Sequence, residues 1–262
     1  VDEYRAEQKI EEQKEHQTGT FSSTLSREVR LLQSLEHPNI IRLYQVVETE
    51  YEYYIITEFA PGGEIIDYIA KKEHLTEKEA RRFFRELVSA IDHCHLSGVL
   101  HRDLKLENIL LSAEKHVLVT DFGLGRSYQA ENLCGTFCGT PLYAAPELVS
   151  GTKYFGPPAD IWAMGVVLYA MVVGKPPFQA DNMSELYRRI KNVEFKFPEW
   201  CSPEFRDVIG RIFTKDTNER ITMDELRTHT WVVGEYGNPP LRLQPEKAIV
   251  ELNSRDAKAC YM

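Results

Sequence analysis

Cysteine is scarce in this 262-residue sequence, which contains five, an odd number without the spacing of a disulfide framework. That usage indicates a reducing, cytoplasmic setting. Cys134 and Cys138 lie four residues apart, but no second pair or histidine cluster completes a zinc site with them. Long hydrophobic runs are missing too, since the longest, residues 161–173, is shorter than a membrane span and is typical of a buried helix. We therefore expect no transmembrane segment, and any membrane or cortical targeting would reside outside this chain.

Basic residues are outnumbered: 31 lysines and arginines face 40 aspartates and glutamates, for a net charge of -9. An acidic surface disfavours nucleic acids and anionic membranes and attracts basic peptides. The hydrophobic share of 43% and the charged share of 27% are those of an ordinary folded protein. The length permits one large domain or two modest lobes. We expect no nucleic-acid partner.

Three motifs follow one another in the middle of the chain. Residues 101–108 read HRDLKLEN, residues 121–123 read DFG and residues 145–147 read APE. These are signatures of protein kinases, in the order in which kinases carry them. The chain resembles a serine/threonine protein kinase over roughly residues 24–245. The resemblance implies an α+β, two-lobed protein-kinase-like fold with an incomplete small β lobe and a mainly α-helical large lobe.

The resemblance assigns the chemistry to four side chains. Asp103 matches the acid that orients the acceptor hydroxyl, and Lys105 the cation at the γ-phosphate, a lysine typical of serine/threonine rather than tyrosine kinases. Asn108 and Asp121 match the oxygen ligands of the metal. The implied cofactors are ATP and Mg²⁺.

Further residues match the nucleotide and substrate contacts of kinases. Glu58 and Ala60 resemble the hinge backbone that meets adenine, and Leu110 the apolar floor under the ring. Glu64 and Glu107 match acids that contact the ribose or basic residues near the target hydroxyl, with an ordinary solvated side chain as the alternative for each. We expect protein substrates with basic residues near the acceptor serine or threonine.

Regulation is implied at three positions. Thr136 resembles the activating threonine of the AMP-activated kinase branch, and Arg102 is expected to pair with a phosphate placed there by an upstream activating kinase. An unmodified surface threonine is the alternative. Glu28 matches the helix glutamate that pairs with the ATP lysine of related kinases.

The resemblance also predicts structural contacts in the large lobe. Thr140 is expected to steady Asp103 and Lys105, and Asp160 to brace the backbone of the catalytic loop. Glu147 and Arg220 are expected to form a buried ion pair.

Hydrophobic periodicity places these residues on elements. It predicts a helix from Leu25 that ends before His37, and strands at 41–48 and 53–59. A capping box at Thr76 opens a helix to about Ser97, and another helix opens at Pro158. We divide the chain into a polar insert or linker, a partial small lobe, a large lobe and a C-terminal extension, at residues 1–22, 23–59, 60–233 and 234–262.

Glycine is missing where the resemblance requires it. Gly19 is the only glycine before Gly62, so no G-x-G-x-x-G motif precedes the first predicted helix. Lys9 lies nineteen residues before Glu28, but its acidic neighbours make a poor buried strand, so we do not assign it as the ATP lysine. Without both parts, we expect this polypeptide to be a poor catalyst.

Two strings narrow the resemblance to a branch. Residues 139–147 resemble the AMP-activated and microtubule-affinity-regulating kinases, and residues 231–240 the fungal polarity-linked kinases of that branch. Residues 2–17 resemble the charged insert of those kinases, so the simplest interpretation is that the remaining strands precede this chain in a longer product. The alternative is a pseudokinase-like scaffold or binding module, against which the intact catalytic residues weigh.

Overall fold

The computed structural model describes residues 23–49, 52–122, 125–127, 140–151 and 156–245. The first part is a small lobe made of helix α1 (Ser23–Ser34) and the antiparallel strands β1 (Leu43–Glu48) and β2 (Tyr53–Thr57). Helix α1 buries Val29 and Leu32, which lie three residues apart and therefore on one face of the helix.

Both small-lobe strands are shorter than the pattern predicts. The N–H of Ile41 donates to the carbonyl of Val119 at 2.9 Å, so the chain leaves the β1–β2 ladder there and joins a strand of the large lobe. A propensity argument cannot anticipate this, since Ile41 is extended in either pairing.

After Glu58 and Ala60, the residues that resemble the kinase hinge, the chain enters a second small sheet. Strands β3 (Gly63–Glu64), β5 (Ile109–Leu111) and β6 (Val117–Val119) pair in the order β3-β5-β6, and helix α2 (Ile65–Ala70) follows β3 directly. Strand β4 (Val99–Leu100) pairs with β7 (Arg126–Ser127). The chain passes β5 so closely that a Cβ at Gly62 would lie 2.5 Å from the Leu111 carbonyl oxygen, which explains the glycine in the hinge.

Helices make up most of the large lobe. They are α3 (Glu77–Leu96), α4 (Pro146–Val149), α5 (Gly156–Val173), α6 (Met183–Asn192), α7 (Pro203–Ile212), α8 (Met223–Thr228) and α9 (Thr230–Val233). The expected α+β architecture with a mainly helical large lobe is therefore confirmed.

The predicted capping box at Thr76 is only half formed. The Thr76 hydroxyl accepts the N–H of Glu79 at 3.2 Å, but the Glu79 carboxylate accepts hydrogen bonds from Tyr68 at 2.6 Å and Lys72 at 2.7 Å. Helix α3 ends at Leu96, one residue before the predicted end. The tertiary partners of Glu79 outcompete the local reciprocal bond.

Helix α5 is longer than the sequence pattern predicts, since it begins at Gly156 rather than Pro158. By length and hydropathy Gly156–Val173 could cross a membrane, yet 78% of it is buried inside the protein. Trp162 on this helix stacks on Phe178 with ring centroids 5.6 Å apart. The burial favours a core helix.

After α9 the chain makes a 3-10 turn at Gly234–Tyr236 and then runs along α3. We call residues 238–243 the strap, because each of these residues is hydrogen-bonded to a side chain on a helix of the large lobe. Sequence patterns had identified this segment only as an extension.

Candidate active site

The loop between β4 and β5 carries the predicted catalytic residues and brings them into contact. Lys105 Nζ lies 3.0 Å from Asp103 Oδ2, and the amide nitrogen of Asn108 donates to the Asp103 carbonyl at 2.9 Å. Thr140 donates to Asp103 Oδ1 from its N–H at 3.0 Å and from its hydroxyl at 3.2 Å. The carboxylate of Asp103 is thus held from both oxygens, and the expected contact with Thr140 is confirmed.

Asp160, near the start of α5, braces this loop from beneath. Its carboxylate accepts the backbone N–H of His101 at 3.0 Å and of Arg102 at 2.9 Å, and lies 3.0 Å from Nε2 of His95. Burial alone would raise the pKa of Asp160, but the hydrogen bond and charge of His95 outweigh it, and the pKa is lowered. An ionised Asp160 holds Arg102 at a φ of +70°, in a left-handed conformation that a non-glycine residue rarely adopts.

Lys105 carries the positive charge of the site. Partial burial would lower the pKa of Lys105, but the hydrogen bond and charge of Asp103, with a further contribution from Asp121, raise it above the ordinary value. Lys105 is therefore a protonated ammonium at neutral pH, and it is hydrogen-bonded to the Asp103 carboxylate.

Asp121 follows β6 and is tied to the loop through its neighbour. The N–H of Thr120 donates to the Asn108 carbonyl at 3.0 Å, and the Thr120 carbonyl accepts Nε2–H of His101, also at 3.0 Å. Burial lowers the pKa of His101, and its ring lies 4.8 Å from that of Phe122, so His101 is a neutral core residue rather than a ligand.

The donor set fits a metal that is shared with a phosphate. Among the described residues no group of three histidines, cysteines or acids could hold an ion alone. The side-chain amide nitrogen of Asn108 donates to the Asp103 carbonyl, so the amide oxygen is the atom that could bind a metal together with the Asp121 carboxylate. One carboxylate and one amide oxygen suit Mg²⁺, which takes its other ligands from water and phosphates.

The predicted nucleotide residues lie along the hinge and the β3-β5-β6 sheet. Glu58 donates its N–H to the Arg42 carbonyl at 2.8 Å, and the Ala60 carbonyl accepts the N–H of Gly63 at 3.1 Å. Leu110 is half-buried on β5 and pairs in register with the exposed Glu64 on β3. The structure thus brings Leu110 and Glu64 together, while their binding roles stay predictions.

Of the regulatory residues, only Arg102 is described in full. Thr136 and the side chain of Glu28 lie outside the described residues, although the backbone of Glu28 is part of α1. The predicted buried ion pair between Glu147 and Arg220 is confirmed, because Arg220 donates to both carboxylate oxygens of Glu147 at 2.8 and 2.9 Å.

Sequence reasoning missed His95, whose Nε2 contacts the Asp160 carboxylate across 65 residues of sequence. Its only sequence signal is a place in the last turn of α3, which does not reveal a partner. It also missed the contacts of the buried Ser89, whose hydroxyl lies 2.9 Å from Nε2 of His37 and donates to the Leu241 carbonyl.

Comparison with known proteins agrees with this geometry. The family described as "Protein kinase domain" matches residues 3–232. A probable serine/threonine-protein kinase MARK-C of Dictyostelium discoideum is 39% identical over 239 residues, covering 90% of this chain and 31% of that protein. Serine/threonine-protein kinase SIK2 of Gallus gallus is 42% identical (83% and 27% covered), and SIK1 of Rattus norvegicus is 43% identical (85% and 28%). The chain spans about three-tenths of the length of these curated relatives.

Proposed function

Because this chain belongs to the protein kinase family and its relatives are serine/threonine kinases, we propose that it transfers the γ-phosphate of Mg-ATP to serine or threonine in proteins. The observation that carries the proposal is the Asp103 carboxylate, fixed between Lys105 and Thr140 beside Asn108.

Asp103 orients the acceptor hydroxyl and receives its proton as the acceptor oxygen bonds to the γ-phosphorus and the bond to the β-phosphate breaks. Lys105 places its charge where the transferring group becomes more negative. Since three hydrogen bonds fix the carboxylate beforehand, little reorganisation accompanies the reaction.

Asn108 and Asp121 would hold the Mg²⁺, which neutralises the phosphates when bound. Glu58 and Ala60 would meet adenine through their backbone, and Leu110 would lie under the ring. In protein kinases a Gly-rich loop covers the phosphates of ATP, and this sequence has no such motif before Gly62. We expect the 262-residue polypeptide to transfer phosphate slowly for that reason.

We further propose that phosphorylation of Thr136 by an upstream kinase activates the protein, with Arg102 as the partner of the phosphate. We expect the protein to act in the cytoplasm. The proposed substrates carry basic residues near the acceptor, which Glu64 and Glu107 would contact from exposed positions on β3 and the catalytic loop.

The test combines nucleotide binding with phosphate transfer. ADP titrated by calorimetry with and without Mg²⁺ reports the metal site, and transfer of labelled γ-phosphate to a basic serine peptide reports the chemistry. Asp121→Asn is expected to abolish the affinity that Mg²⁺ adds, and Asp103→Asn to lower transfer by about 10²–10⁴-fold without weakening ADP binding. Asp181→Asn, an isosteric change at an exposed bend, is the control.

Slow transfer that disappears in Asp103→Asn supports the proposal. Mg²⁺-independent ADP affinity, or transfer that persists in Asp103→Asn, contradicts it. A chain that binds no nucleotide in either condition would favour the scaffold alternative.

A further inference from the structure

The strap is anchored to α3 by an ion pair as well as by backbone contacts. Arg242 donates to both oxygens of Asp92, at 2.8 and 2.9 Å, and Asp92 is 2% exposed. Arg85 donates to the carbonyl and side chain of Asn238 at 2.8 and 3.1 Å. These contacts hold the strap against α3 at both ends.

Between these anchors the strap meets a buried serine. The Ser89 hydroxyl donates to the Leu241 carbonyl at 2.7 Å and lies 2.9 Å from Nε2 of His37. A hydroxyl has one hydrogen, so Ser89 must accept from His37, whose proton is therefore on Nε2.

The other nitrogen of His37 requires the same tautomer. Nδ1 accepts the backbone N–H of Asn39 at 3.0 Å, which it can do only without a proton. The ring of His37 packs against that of another titratable residue, His93 on α3, with the ring centroids 5.2 Å apart. Burial and then His93 lower the pKa of His37 to about 4, consistent with a neutral ring.

Asn39 connects the histidine to strand β6. Its side-chain amide donates to the Val117 carbonyl at 3.0 Å, and its carbonyl accepts the N–H of Val119 at 2.9 Å. Strand β6 leads within two residues to Asp121, and Thr120 between them is bonded to the Asn108 carbonyl. Hydrogen bonds therefore join the strap to β6, and from β6 the backbone leads to Asp121 while Thr120 bonds to Asn108, so the strap is linked to both residues proposed to hold the metal.

We propose that Ser89, His37 and Asn39 are positioning residues, through which the strap sets the place of Asp121 and Asn108. The metal role of those two residues rests on the proposed function. The physical basis is that β6 is a three-residue strand, so one added hydrogen bond on its open side restrains it appreciably.

We call the link from the strap through Ser89, His37 and Asn39 to β6 the relay. Hydrogen exchange of the nucleotide-free chain tests the relay independently of metal binding. In Ser89→Ala and in Arg242→Ala, the amides of Ile41, Val119 and Thr120 are expected to exchange about fivefold faster, which corresponds to the loss of one hydrogen bond. Amides of α7 report global stability and should not change. Ser97→Ala is the matched control for the first variant, because Ser97 is also buried at the end of α3 and its hydroxyl donates to the His93 carbonyl. Arg188→Ala, in an exposed ion-pair cluster, controls for the second.

A long-range proton–nitrogen spectrum adds a signature that overall stability does not produce. His37 is expected as the Nε2–H form at neutral pH, and an Nδ1–H form would contradict the relay. ADP titrations then test positioning: the factor by which Mg²⁺ raises ADP affinity should fall about fivefold in both variants, while metal-free ADP affinity stays unchanged.

Unchanged exchange at the three amides in Ser89→Ala, or equal acceleration in α7, overturns the relay. An effect in Ser89→Ala but not in Arg242→Ala overturns the part played by the strap. Faster exchange with an undiminished Mg²⁺ effect overturns positioning. If the unaltered chain binds no Mg-ADP, the proposed function fails, while exchange at Thr120 still decides the relay.

Discussion

At the scale of single residues, charged and polar side chains enter the interior where several partners meet them. Arg220, whose side chain is fully buried, donates to Glu147 and to the carbonyls of Thr214 and Pro158, and lies 5.0 Å from the Trp162 ring. The sequence predicted the pairing with Glu147, because it follows from the kinase resemblance. It did not predict the two carbonyls, which the packing of separate segments brings to the arginine.

His37 should make the stability of the protein depend on pH. Its pKa is about 4 in the folded chain against an ordinary 6.5, so the unfolded chain takes up the proton first as the pH falls. The stabilisation that His37 contributes is fully present above its pKa in the unfolded chain, and it is lost as the pH falls from that pKa to the pKa in the folded chain. From about pH 7 to about pH 5 we expect His37 to account for a loss of about 2 kcal/mol in the free energy of unfolding.

Urea unfolding of the unaltered chain and of His37→Gln at both pH values measures this contribution as a difference. Other titrating groups cancel in that comparison. A pH dependence that is the same in both proteins would contradict the assignment.

At the scale of elements, the crossing of α5 over α7 depends on a glycine. A Cβ at Gly165 would lie 2.3 Å from Cγ2 of Ile212 and 3.0 Å from Cε1 of Phe213. The glycine therefore sets how closely the two helices approach. Periodicity predicted that α5 is buried all round, but it could not show which residue faces α7, since no face of this helix is polar.

Gly165→Ala is expected to destabilise the protein by about 1–3 kcal/mol, because the methyl group forces the helices apart. Gly210→Ala, on α7, is the matched control: in the described part of the chain, nothing beyond its own helix and neighbours lies within 4 Å of the added Cβ. There the better helix propensity of alanine should stabilise by about 0.5–1 kcal/mol. Thermal unfolding of both variants checks the opposite signs, and two changes of the same sign would refute this account of the crossing.

At the scale of the whole molecule, the net charge of -9 should favour basic ligands near the site. Glu64 and Glu107 are both exposed, on β3 and in the catalytic loop. The double substitution Glu64→Gln and Glu107→Gln is expected to weaken binding of a labelled basic serine peptide by about tenfold at low ionic strength, at up to about 1 kcal/mol for each exposed charge.

Fluorescence polarisation measures this loss, with an uncharged peptide of equal length as the control. The difference between the proteins should shrink in about 0.5 M salt, because screening shortens the range of exposed charges. A loss that is equal for the uncharged peptide would mean that the acids act on folding or shape instead of on charge.

The sequence by itself determined the family resemblance and the identity of the residues at the catalytic loop, because both depend on local motifs, and the two-lobed class followed from that resemblance. Tertiary structure decided the rest: the bond of Ile41 to Val119, which leaves Ile41 outside β1, the hydrogen bonds of Glu79 with Tyr68 and Lys72, and the link from the strap through Ser89. Each is a choice among hydrogen-bond partners that are equivalent locally. Only the packing of segments far apart in sequence, 152 residues in the case of Ser89 and Leu241, selects one of them.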